Sequence, residues 1–258
     1  EVMDTLHNTY NKGGFMETPQ LPNEVVKRDL HFFLLVDCSG SMQGAKIASL
    51  NSAVSEALPA IRDAVSGHPE VRVKFRAIKF SDDANWHVGS LSDAVPIENV
   101  IWNDLKAENW TATDKAISML ASALDIELMP RRGYPPVCLL LSDGYCTSPQ
   151  SLYDKAISQL DSMPWGKKAV RLAVAIGDES QYDEDELLKF VNVKDENGNP
   201  VLLKAHNSQE LVHYIKWASV AASLGASISK SKSTSDGAQH VIMPAPSAAP
   251  ISSSTDVF

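Results

Sequence analysis

Short apolar runs alternate with amphipathic stretches along the chain from residue 30 onward. The apolar runs predict strands, which cover residues 30–37, 72–80, 86–89, 136–142, 169–176 and 200–204. The amphipathic stretches predict helices, which cover residues 45–65, 113–128, 149–162, 184–191 and 208–224. Strands and helices that alternate in this way are typical of an α/β protein whose helices cover both faces of a parallel sheet.

Two of these segments refine the predicted sheet. Residues 137–141, Val-Cys-Leu-Leu-Leu, are apolar at every position, as a central parallel strand covered on both faces should be. The strands over 72–80 and 86–89 are joined by five residues only, which permits a hairpin but not a parallel crossover. We therefore predict an α/β fold with a doubly wound, mostly parallel, Rossmann-like sheet, one antiparallel edge strand and helices on both faces.

The two ends of the chain differ in composition from its middle. Residues 1–29 are polar and contain Gly13-Gly14, Pro19 and Pro22, so we interpret them as an N-terminal arm. Residues 230–258 are rich in Ser, Ala and Pro and poor in large apolar side chains, which predicts a flexible tail. The domain itself is expected to cover residues 30–229.

Charge and composition limit the classes of partner. The formal net charge is −9, which argues against nucleic-acid binding because phosphate recognition favours a basic surface. The apolar runs are far shorter than the roughly 20 residues that a membrane-spanning helix needs, so no membrane association is expected. The amino terminus lacks a basic region followed by an apolar core, and no secretion signal is visible.

Cysteine usage indicates a reducing compartment. The three cysteines, Cys38, Cys138 and Cys146, are odd in number and form no Cys-x-x-Cys pair. Free thiols are the simplest interpretation, and we expect a cytoplasmic protein. No second Cys or His lies at ligand spacing from any of them, which argues against a zinc site.

The most informative segment is residues 35–44, Leu-Val-Asp-Cys-Ser-Gly-Ser-Met-Gln-Gly. It follows the first predicted strand and precedes the first predicted helix, so Asp37, Ser39 and Ser41 lie on a loop at the carboxyl end of a strand. Ligands of open α/β sheets bind at this edge. A cluster of oxygen donors with few charges suits a hard cation such as Mg²⁺.

Two further segments add oxygen donors at comparable positions. Residues 109–114, Asn-Trp-Thr-Ala-Thr-Asp, open a helix and place the Thr111 hydroxyl at a loop–helix boundary. Residues 139–144, Leu-Leu-Leu-Ser-Asp-Gly, end a buried strand with the carboxylate of Asp143. Serine and aspartate at strand ends often cap helices without binding a ligand, but three such loops at one edge of a sheet favour a binding site.

In these motifs the sequence resembles the von Willebrand factor A (VWA) domain family over residues 31–229. The metal-ion-dependent adhesion site (MIDAS) of that family has the pattern Asp-x-Ser-x-Ser, then a Thr, then an Asp, and all five positions match. The resemblance implies that Ser39, Ser41 and Thr111 ligate Mg²⁺ through their hydroxyls, whereas Asp37 and Asp143 hold coordinated waters or bind directly. Mn²⁺ and Ca²⁺ remain alternative metals.

The resemblance also implies a function in protein recognition. Mg²⁺ takes six oxygens in a near-octahedral arrangement, so three hydroxyls and water leave a face that an Asp or Glu of a partner protein can bind. Within the family the sequence is most similar to bacterial tellurite-resistance proteins of the TerY type, through its first loop, Leu-Ser-Asp-Gly and the late segment Tyr-Ile-Lys-Trp-Ala-Ser. That similarity implies a scaffold in a stress-response or phospho-signalling system, with a kinase or a phosphatase as partner. Because the catalytic motifs are incomplete, we expect no enzymatic activity.

The sequence departs from the family just before Thr111. Many members have small residues there, often Gly-Gly, but this chain has Asn109 and Trp110. We expect the Trp110 indole to pack against the first loop, because tryptophan side chains are usually buried, with a place on the recognition surface as the alternative. Cys38 is expected to point away from the metal and to pack in the core.

Two enzymatic functions are alternatives to protein recognition. A phosphate-binding loop requires four residues between its glycines and a lysine directly after the second one, whereas Gly40 and Gly44 enclose three and Ala45 precedes Lys46. Lys46 is therefore expected to be a solvated helix residue. The alternative function is a metal-dependent phosphohydrolase with Asp37 as nucleophile. Such enzymes usually carry a second acid two residues later, where this chain has Ser39.

Overall fold

The computed structural model describes residues 27–195, 197–228 and 241–242, and from residue 220 onward it describes the backbone alone. Its strands are β1 (Arg28–Asp37), β2 (Val71–Phe80), β3 (Ala84–Val88), β4 (Val95–Pro96), β5 (Val137–Ser142), β6 (Val170–Ile176), β7 (Val193–Lys194), β8 (Leu202–Ala205) and β9 (Val241–Ile242). Its helices are α1 (Ala45–Ser66), α2 (Thr113–Ala123), α3 (Gln150–Ser162), α4 (Pro164–Lys168), α5 (Glu184–Phe190) and α6 (Ser208–Ile228).

Within the described residues, seven strands form one mixed sheet. Its order is β3-β2-β1-β5-β6-β8, and β4 pairs with β2 beside β3. The pairs β1–β2, β1–β5, β5–β6 and β6–β8 are parallel. The predicted α/β fold is confirmed, and β3 is the antiparallel edge strand that the short link indicated. The prediction omitted a second antiparallel strand, β4.

The strand order reverses between β1 and β5. The chain moves from β1 outward to β2 and β3, then returns to the other side of β1 with β5 and continues to β6 and β8. At such a reversal the loops after the two central strands diverge and leave a crevice at the carboxyl edge of the sheet. Asp37 ends β1 and Ser142 ends β5, so both lie at this crevice.

Alternating side chains of the central strands feed two separate cores. Phe32, Leu34 and Val36 of β1 belong to the cluster on the α1 and α6 face of the sheet. Phe33 and Leu35 belong to the cluster on the α2, α3 and α5 face. Because β1 and β5 are buried on both faces, their carboxyl ends are held in one position by packing from both sides.

The structure differs from the predicted elements in several short segments, among them the unpredicted two-residue strands β7 and β9. Helix α2 ends at Ala123 rather than at residue 128, because the Asp125 carboxylate accepts the N–H of Glu127 and turns the chain before Pro130. Helix α4 was not predicted, since Gly166 interrupts any helical pattern in its five residues. Strand β4 has only two residues, and its Pro96 is tolerated at the sheet edge.

The arm at residues 1–29 and the tail at residues 230–258 lie largely outside the described residues. Of the tail, Val241 and Ile242 are described, and they pair in parallel with Val193 and Lys194. Among the described helices, none has both the length and the apolar character that a bilayer crossing requires.

His31 is a polar residue buried in the middle of the sheet. Its Nδ1 accepts a hydrogen bond from Nη1 of Arg76 at 3.1 Å, which requires a neutral imidazole. Burial, and next the positive charge of Arg76, lower the pKa of His31 to about 4; Asp29 opposes this shift, while Lys74 and Arg72 add to it. The folded protein therefore resists protonation of His31 more than the unfolded chain does.

We expect His31→Gln to reduce the loss of stability in mild acid. Between the unfolded pKa of about 6.5 and the folded value the unfolded chain binds the extra proton, so the contribution of His31 to stability falls as the pH falls. At pH 5 the parent should have lost about 2 kcal/mol more than the variant, relative to pH 7.5. Urea unfolding at a series of pH values, with EDTA present, measures this difference. Parallel pH profiles would contradict the assignment.

Candidate metal site

Asp37 lies at the reversal point of the sheet, fully buried between the ends of β1 and β5. Its Oδ1 accepts the backbone N–H of Ser39 at 2.8 Å. Its Oδ2 accepts the hydroxyl of Ser142 at 2.5 Å. Both oxygens are thus fixed by residues of the two central strands and the loop between β1 and α1. The contribution of Ser142 was missed by sequence reasoning, although its position at the end of a predicted strand pointed to this edge.

Ser39 and Ser41 follow Asp37 on the same loop. Their hydroxyl oxygens lie 3.0 Å apart and share one hydrogen bond. Ser39 is buried, whereas Ser41, in a short 3₁₀ helix over Gly40–Met42, is exposed. The predicted Asp-x-Ser-x-Ser loop therefore brings its three oxygen-bearing side chains together, with Ser41 on the solvent side.

The loop that carries Thr111 is bonded to the first loop through the backbone. The N–H of Glu108 donates to the carbonyl of Cys38, and the N–H of Gly40 donates to the carbonyl of Asn109, both at 2.8 Å. A Cβ atom at Gly40 would lie 3.0 Å from that carbonyl oxygen, so the approach favours glycine. Thr111 is buried beside this junction at the start of α2.

Thr147 fixes the backbone of Thr111. Its hydroxyl accepts the N–H of Thr111 at 3.0 Å and donates to the Thr111 carbonyl at 2.9 Å, and its own N–H donates to the same carbonyl at 2.8 Å. This positioning residue was missed, and nothing in its sequence surroundings distinguishes it from an ordinary loop threonine.

Asp143 follows β5 and is fully buried. Its carbonyl accepts the N–H of Asp183, whose side chain caps α5. Gly144 has φ of +80°, and a Cβ there would lie 2.6 Å from the Asp183 carbonyl oxygen. The glycine of the motif Leu-Ser-Asp-Gly is therefore required, because two loops approach each other closely at this point. The same approach holds the Asp143 carboxylate at the crevice.

The two buried carboxylates interact unfavourably. Burial, and then the charge of Asp143, raise the pKa of Asp37 to about 6, while the hydrogen bonds from Ser142 and Ser39 oppose the shift. Among the described residues, Oδ1 of Asp143 is one of a few buried side-chain atoms with no hydrogen-bond partner. Two adjacent buried carboxylates, one with an unpartnered oxygen, are the surroundings that stabilise a cation.

Lys46 contacts Asp143 of this acidic pair, contrary to the expectation that it is solvated. Its ammonium lies 3.4 Å from Oδ2 of Asp143, and its side chain is only 12% exposed. The first turn of α1 directs the lysine toward the end of β5 because α1 follows the loop of Ser39 and Ser41 directly. The side chain thus supplies part of the positive charge that the two carboxylates require.

The donor set fits a hard divalent metal rather than a soft one. It combines two carboxylates with the hydroxyls of Ser39, Ser41 and Thr111, and no group of three or more His, Cys, Asp or Glu side chains suited to a metal occurs in the described part of the chain. Two further unpartnered polar atoms, Oγ1 of Thr113 and Oδ1 of Asp114, lie at the start of α2. Ligation by the five residues remains a prediction.

Trp110 does not pack against the first loop, so that expectation is wrong. Its side chain is 71% exposed. Asn109 adopts the left-handed conformation (φ of 67°), and the N–H of Trp110 donates to Oδ1 of Asp82 at 2.9 Å. The Asn109 carbonyl and the Trp110 N–H are both held by hydrogen bonds. The indole therefore stays on the surface, next to Thr111 in the chain. Tyr145, two residues after Asp143, is 44% exposed.

Cys38 packs in the core, as expected. Its thiol lies in the cluster that β1 shares with α1. Burial, followed by the charge of Asp37, raises the pKa of the Cys38 thiol to about 12. The thiol therefore stays protonated, and its reactivity is low.

Comparison with known proteins gives a family and a fold. The family described as von Willebrand factor type A domain matches residues 32–213. No curated protein matches the chain. A solved von Willebrand factor type A protein from Catenulispora acidiphila superposes with a TM-score of 0.56 at 15% identity, covering 76% of this chain and 43% of that one.

Solved structures of a mussel protein are also similar. Proximal thread matrix protein 1 from the mussel byssus superposes with a TM-score of 0.51 at 14% identity, covering 77% of this chain and 49% of that one. Another structure of that mussel protein is described as having a zinc-occupied MIDAS motif, with a TM-score of 0.48, 16% identity, and coverage of 77% and 46%. The chain spans less than half the length of each of these solved chains.

We expect Lys46→Met to change metal-free stability and metal affinity in opposite directions. Without metal, the variant leaves two buried carboxylates without the ammonium, which should lower the free energy of unfolding by about 1–3 kcal/mol. With Mg²⁺, loss of a competing positive charge should tighten binding several-fold. Urea unfolding in EDTA and calorimetric titration with Mg²⁺ measure the two effects.

Lys216→Met is the matched control. Lys216 pairs with Glu56 at 3.5 Å, nearly the same distance, but on the surface, where such a pair contributes little. Neither quantity should change in this control. A Lys46 variant that behaves like the control would show that Lys46 does not balance the charge of the site.

Proposed function

The chain belongs to the von Willebrand factor type A domain family, and we propose that it is a metal-dependent protein-binding module whose metal binds a carboxylate of a partner protein. Domains of this family generally bind protein ligands through a site of this kind. The metal that we propose is Mg²⁺, with Mn²⁺ and Ca²⁺ as alternatives.

The observation that carries this proposal is the unpartnered Oδ1 of Asp143. It is fully buried beside Asp37, at the point where the strand order reverses. A buried carboxylate oxygen without a partner is costly unless a cation or a donor satisfies it. A divalent cation held by the neighbouring hydroxyls would do so.

The proposed roles of the side chains follow from their surroundings. Ser39, Ser41 and Thr111 would hold the metal through neutral hydroxyls. Asp37 and Asp143 would balance its charge, directly or through water. When bound, the metal supplies an electrophile for a carboxylate of the partner. Since only two ligating groups carry charge, the site keeps its attraction for an incoming anion.

The partner would approach from the exposed side of the site. Ser41 is exposed, the indole of Trp110 lies on the loop before α2, and the ring of Tyr145 lies on the loop after β5. Exposed aromatic side chains next to a polar centre are typical of residues that dominate protein–protein affinity. We propose that Trp110 contacts the partner around the bound acid.

The pathway is proposed from the sequence motifs alone. Similarity of the Asp-Cys-Ser-Gly-Ser-Met-Gln-Gly loop to TerY-type proteins supports a scaffold in a bacterial stress, tellurite-resistance or phospho-signalling system, with a kinase or phosphatase as partner. Three free cysteines, Cys38, Cys138 and Cys146, support a cytoplasmic location.

The proposal includes the absence of catalysis. The alternative, a phosphohydrolase with Asp37 as nucleophile, requires an accessible carboxylate. Asp37 is fully buried, and both of its oxygens accept hydrogen bonds, from Ser39 and Ser142. Turnover of an aryl phosphate by the chain with Mg²⁺, lost in Asp37→Ala, would favour the alternative.

We expect Ser39→Ala to abolish Mg²⁺-dependent partner binding. The immobilised chain is exposed to extract in Mg²⁺ or in EDTA, and mass spectrometry identifies proteins retained in Mg²⁺ alone. The variant should lose these proteins and bind Mg²⁺ about tenfold more weakly, because one oxygen ligand is removed. Each retained protein is then tested with its Asp and Glu residues changed to Asn and Gln.

Ser122→Ala is the control for the loss of a hydroxyl. Ser122 lies on the exposed face of α2 and donates only to the carbonyl of Ser118, at 3.0 Å. This variant should retain the same proteins as the parent. Retention that is the same in EDTA, or in Ser39→Ala, would refute the proposed function.

We expect Trp110→Ala to weaken binding of the captured partner about tenfold or more, as truncation of an interface tryptophan typically does. Mg²⁺ affinity should stay the same, because the indole supplies no oxygen to the proposed site. Ile126→Ala, which truncates a residue 61% exposed beyond the far end of α2, is the control and should change neither affinity. Equal partner affinity of both variants would exclude Trp110 from the interface.

A further inference from the structure

A second cleft opens at the amino-terminal edge of the sheet, opposite the proposed metal site. It has a volume of about 660 Å³. It lies where β1, β5 and β6 begin, whereas Asp37 and Asp143 lie where β1 and β5 end. We call it the basic cleft, and the side chains that give it its character are those of Lys27, Arg28, Arg131, Arg132, Trp165 and Lys168.

One wall of the basic cleft is a loop fixed to the start of β1. The Arg28 guanidinium donates from Nε to the carbonyl of Arg132 and from Nη2 to that of Gly133, each at 3.2 Å. It also lies 4.2 Å from the centre of the Tyr134 ring. The N–H of Tyr134 donates to the carbonyl of Asp29 at 2.8 Å. The loop is therefore held, and the side chains of Arg131 and Arg132 remain exposed.

The opposite wall is helix α4. Trp165 is buried and forms the floor of the basic cleft. The Lys168 ammonium lies 5.1 Å from the centre of the Trp165 indole. Lys168 is exposed and lies two residues before the start of β6. This wall thus adds a lysine to the three arginines and Lys27 of the other side.

The five cationic side chains of the cleft have no neutralising neighbour among the residues that the structure describes. Among the described residues, no acidic side chain lines the cleft. In the described part of the chain none of the five takes part in an ion pair, and the nearby Asp29 is paired with Arg72 instead. Five positive charges that have no acidic partner in the described ranges therefore lie together in a protein whose net charge is −9. Like charges that lie together repel, so an anion that enters would be stabilised.

We propose that the basic cleft binds a small, multiply charged phosphate compound. Its volume lies within the range of small-molecule sites. Guanidinium groups match pairs of phosphate oxygens, and ammonium groups add point charge. The site is separate from the metal site, so this inference is independent of the proposed function.

Recognition would fall on the phosphates rather than on an attached base. The aromatic ring of the cleft, Trp165, is 7% exposed, and its indole is already in contact with the Lys168 ammonium. Too little of the ring is accessible for a nucleobase to stack on it. A nucleoside triphosphate and inorganic tripolyphosphate should therefore bind with similar affinity, and inorganic phosphate much more weakly.

Calorimetric titration of the full chain with inorganic tripolyphosphate tests the proposal. EDTA is present throughout, so that metal-mediated binding at the other edge is excluded. The double variant R131E/R132E should lose at least about 100-fold in affinity, and salt should weaken binding by the parent. Both side chains are exposed, and the bonds from Arg28 go to backbone carbonyls of the loop, so the fold should persist; circular dichroism checks this.

The double variant K106E/K155E separates the cleft from general electrostatics. Lys106 and Lys155 are exposed, lie outside the cleft and give the same change in net charge. Affinity within about threefold of the parent supports the cleft. An equal loss in both double variants, or no binding of tripolyphosphate at millimolar concentration, overturns it. Tighter binding of a hexaglutamate peptide or of a DNA oligonucleotide than of tripolyphosphate overturns the ligand class.

Discussion

The repulsion between two buried carboxylates is the interaction on which the carboxyl edge of this domain depends. Asp37 and Asp143 lie at the ends of adjacent central strands, and neither is exposed. The chain satisfies three of their four oxygens, with the backbone of Ser39, the hydroxyl of Ser142 and the ammonium of Lys46. The remaining oxygen, Oδ1 of Asp143, has no hydrogen-bond partner among the described residues, and we propose that a cation satisfies it.

The two edges of the sheet carry side chains of opposite charge. Parallel strands bring all their carboxyl ends to one edge and all their amino ends to the other. The carboxyl edge concentrates acidic groups around Asp37, and the amino edge concentrates basic groups around Arg28. Because both cores hold β1 and β5 firmly, the two sites share rigid strands without sharing any residue.

Sequence reasoning predicted the sheet and the outline of the site because both follow from local patterns. Apolar runs fix the strands, and the short link between β2 and β3 fixes an antiparallel edge. Asp37, Ser39 and Ser41 could be predicted for the same reason, because their loop is defined by the end of a strand and the start of a helix. Thr111 and Asp143 needed the additional premise that several strand ends meet at one edge.

The features that escaped prediction depend on contacts between loops that are distant in the sequence. Lys46 looks like a solvated helix residue until the end of β5 is placed beside α1. Thr147 matters only because its hydroxyl reaches the backbone of Thr111. Tryptophan is usually buried, but burial of Trp110 would require its backbone to turn. The bond from its N–H to Asp82 and the left-handed conformation of Asn109 prevent that turn. The basic cleft likewise joins three segments that carry no common motif.

The most direct test of the central claim is a high-resolution crystal structure of the chain grown with Mg²⁺. We expect one metal ion at about 2.1 Å from the hydroxyl oxygens of Ser39, Ser41 and Thr111, the distance typical of magnesium ligands. Asp143 should then contact the ion or one of its waters, and Lys46 should have left Asp143. A structure at saturating Mg²⁺ in which Lys46 still pairs with Asp143 and no ion lies among the hydroxyls would contradict the account.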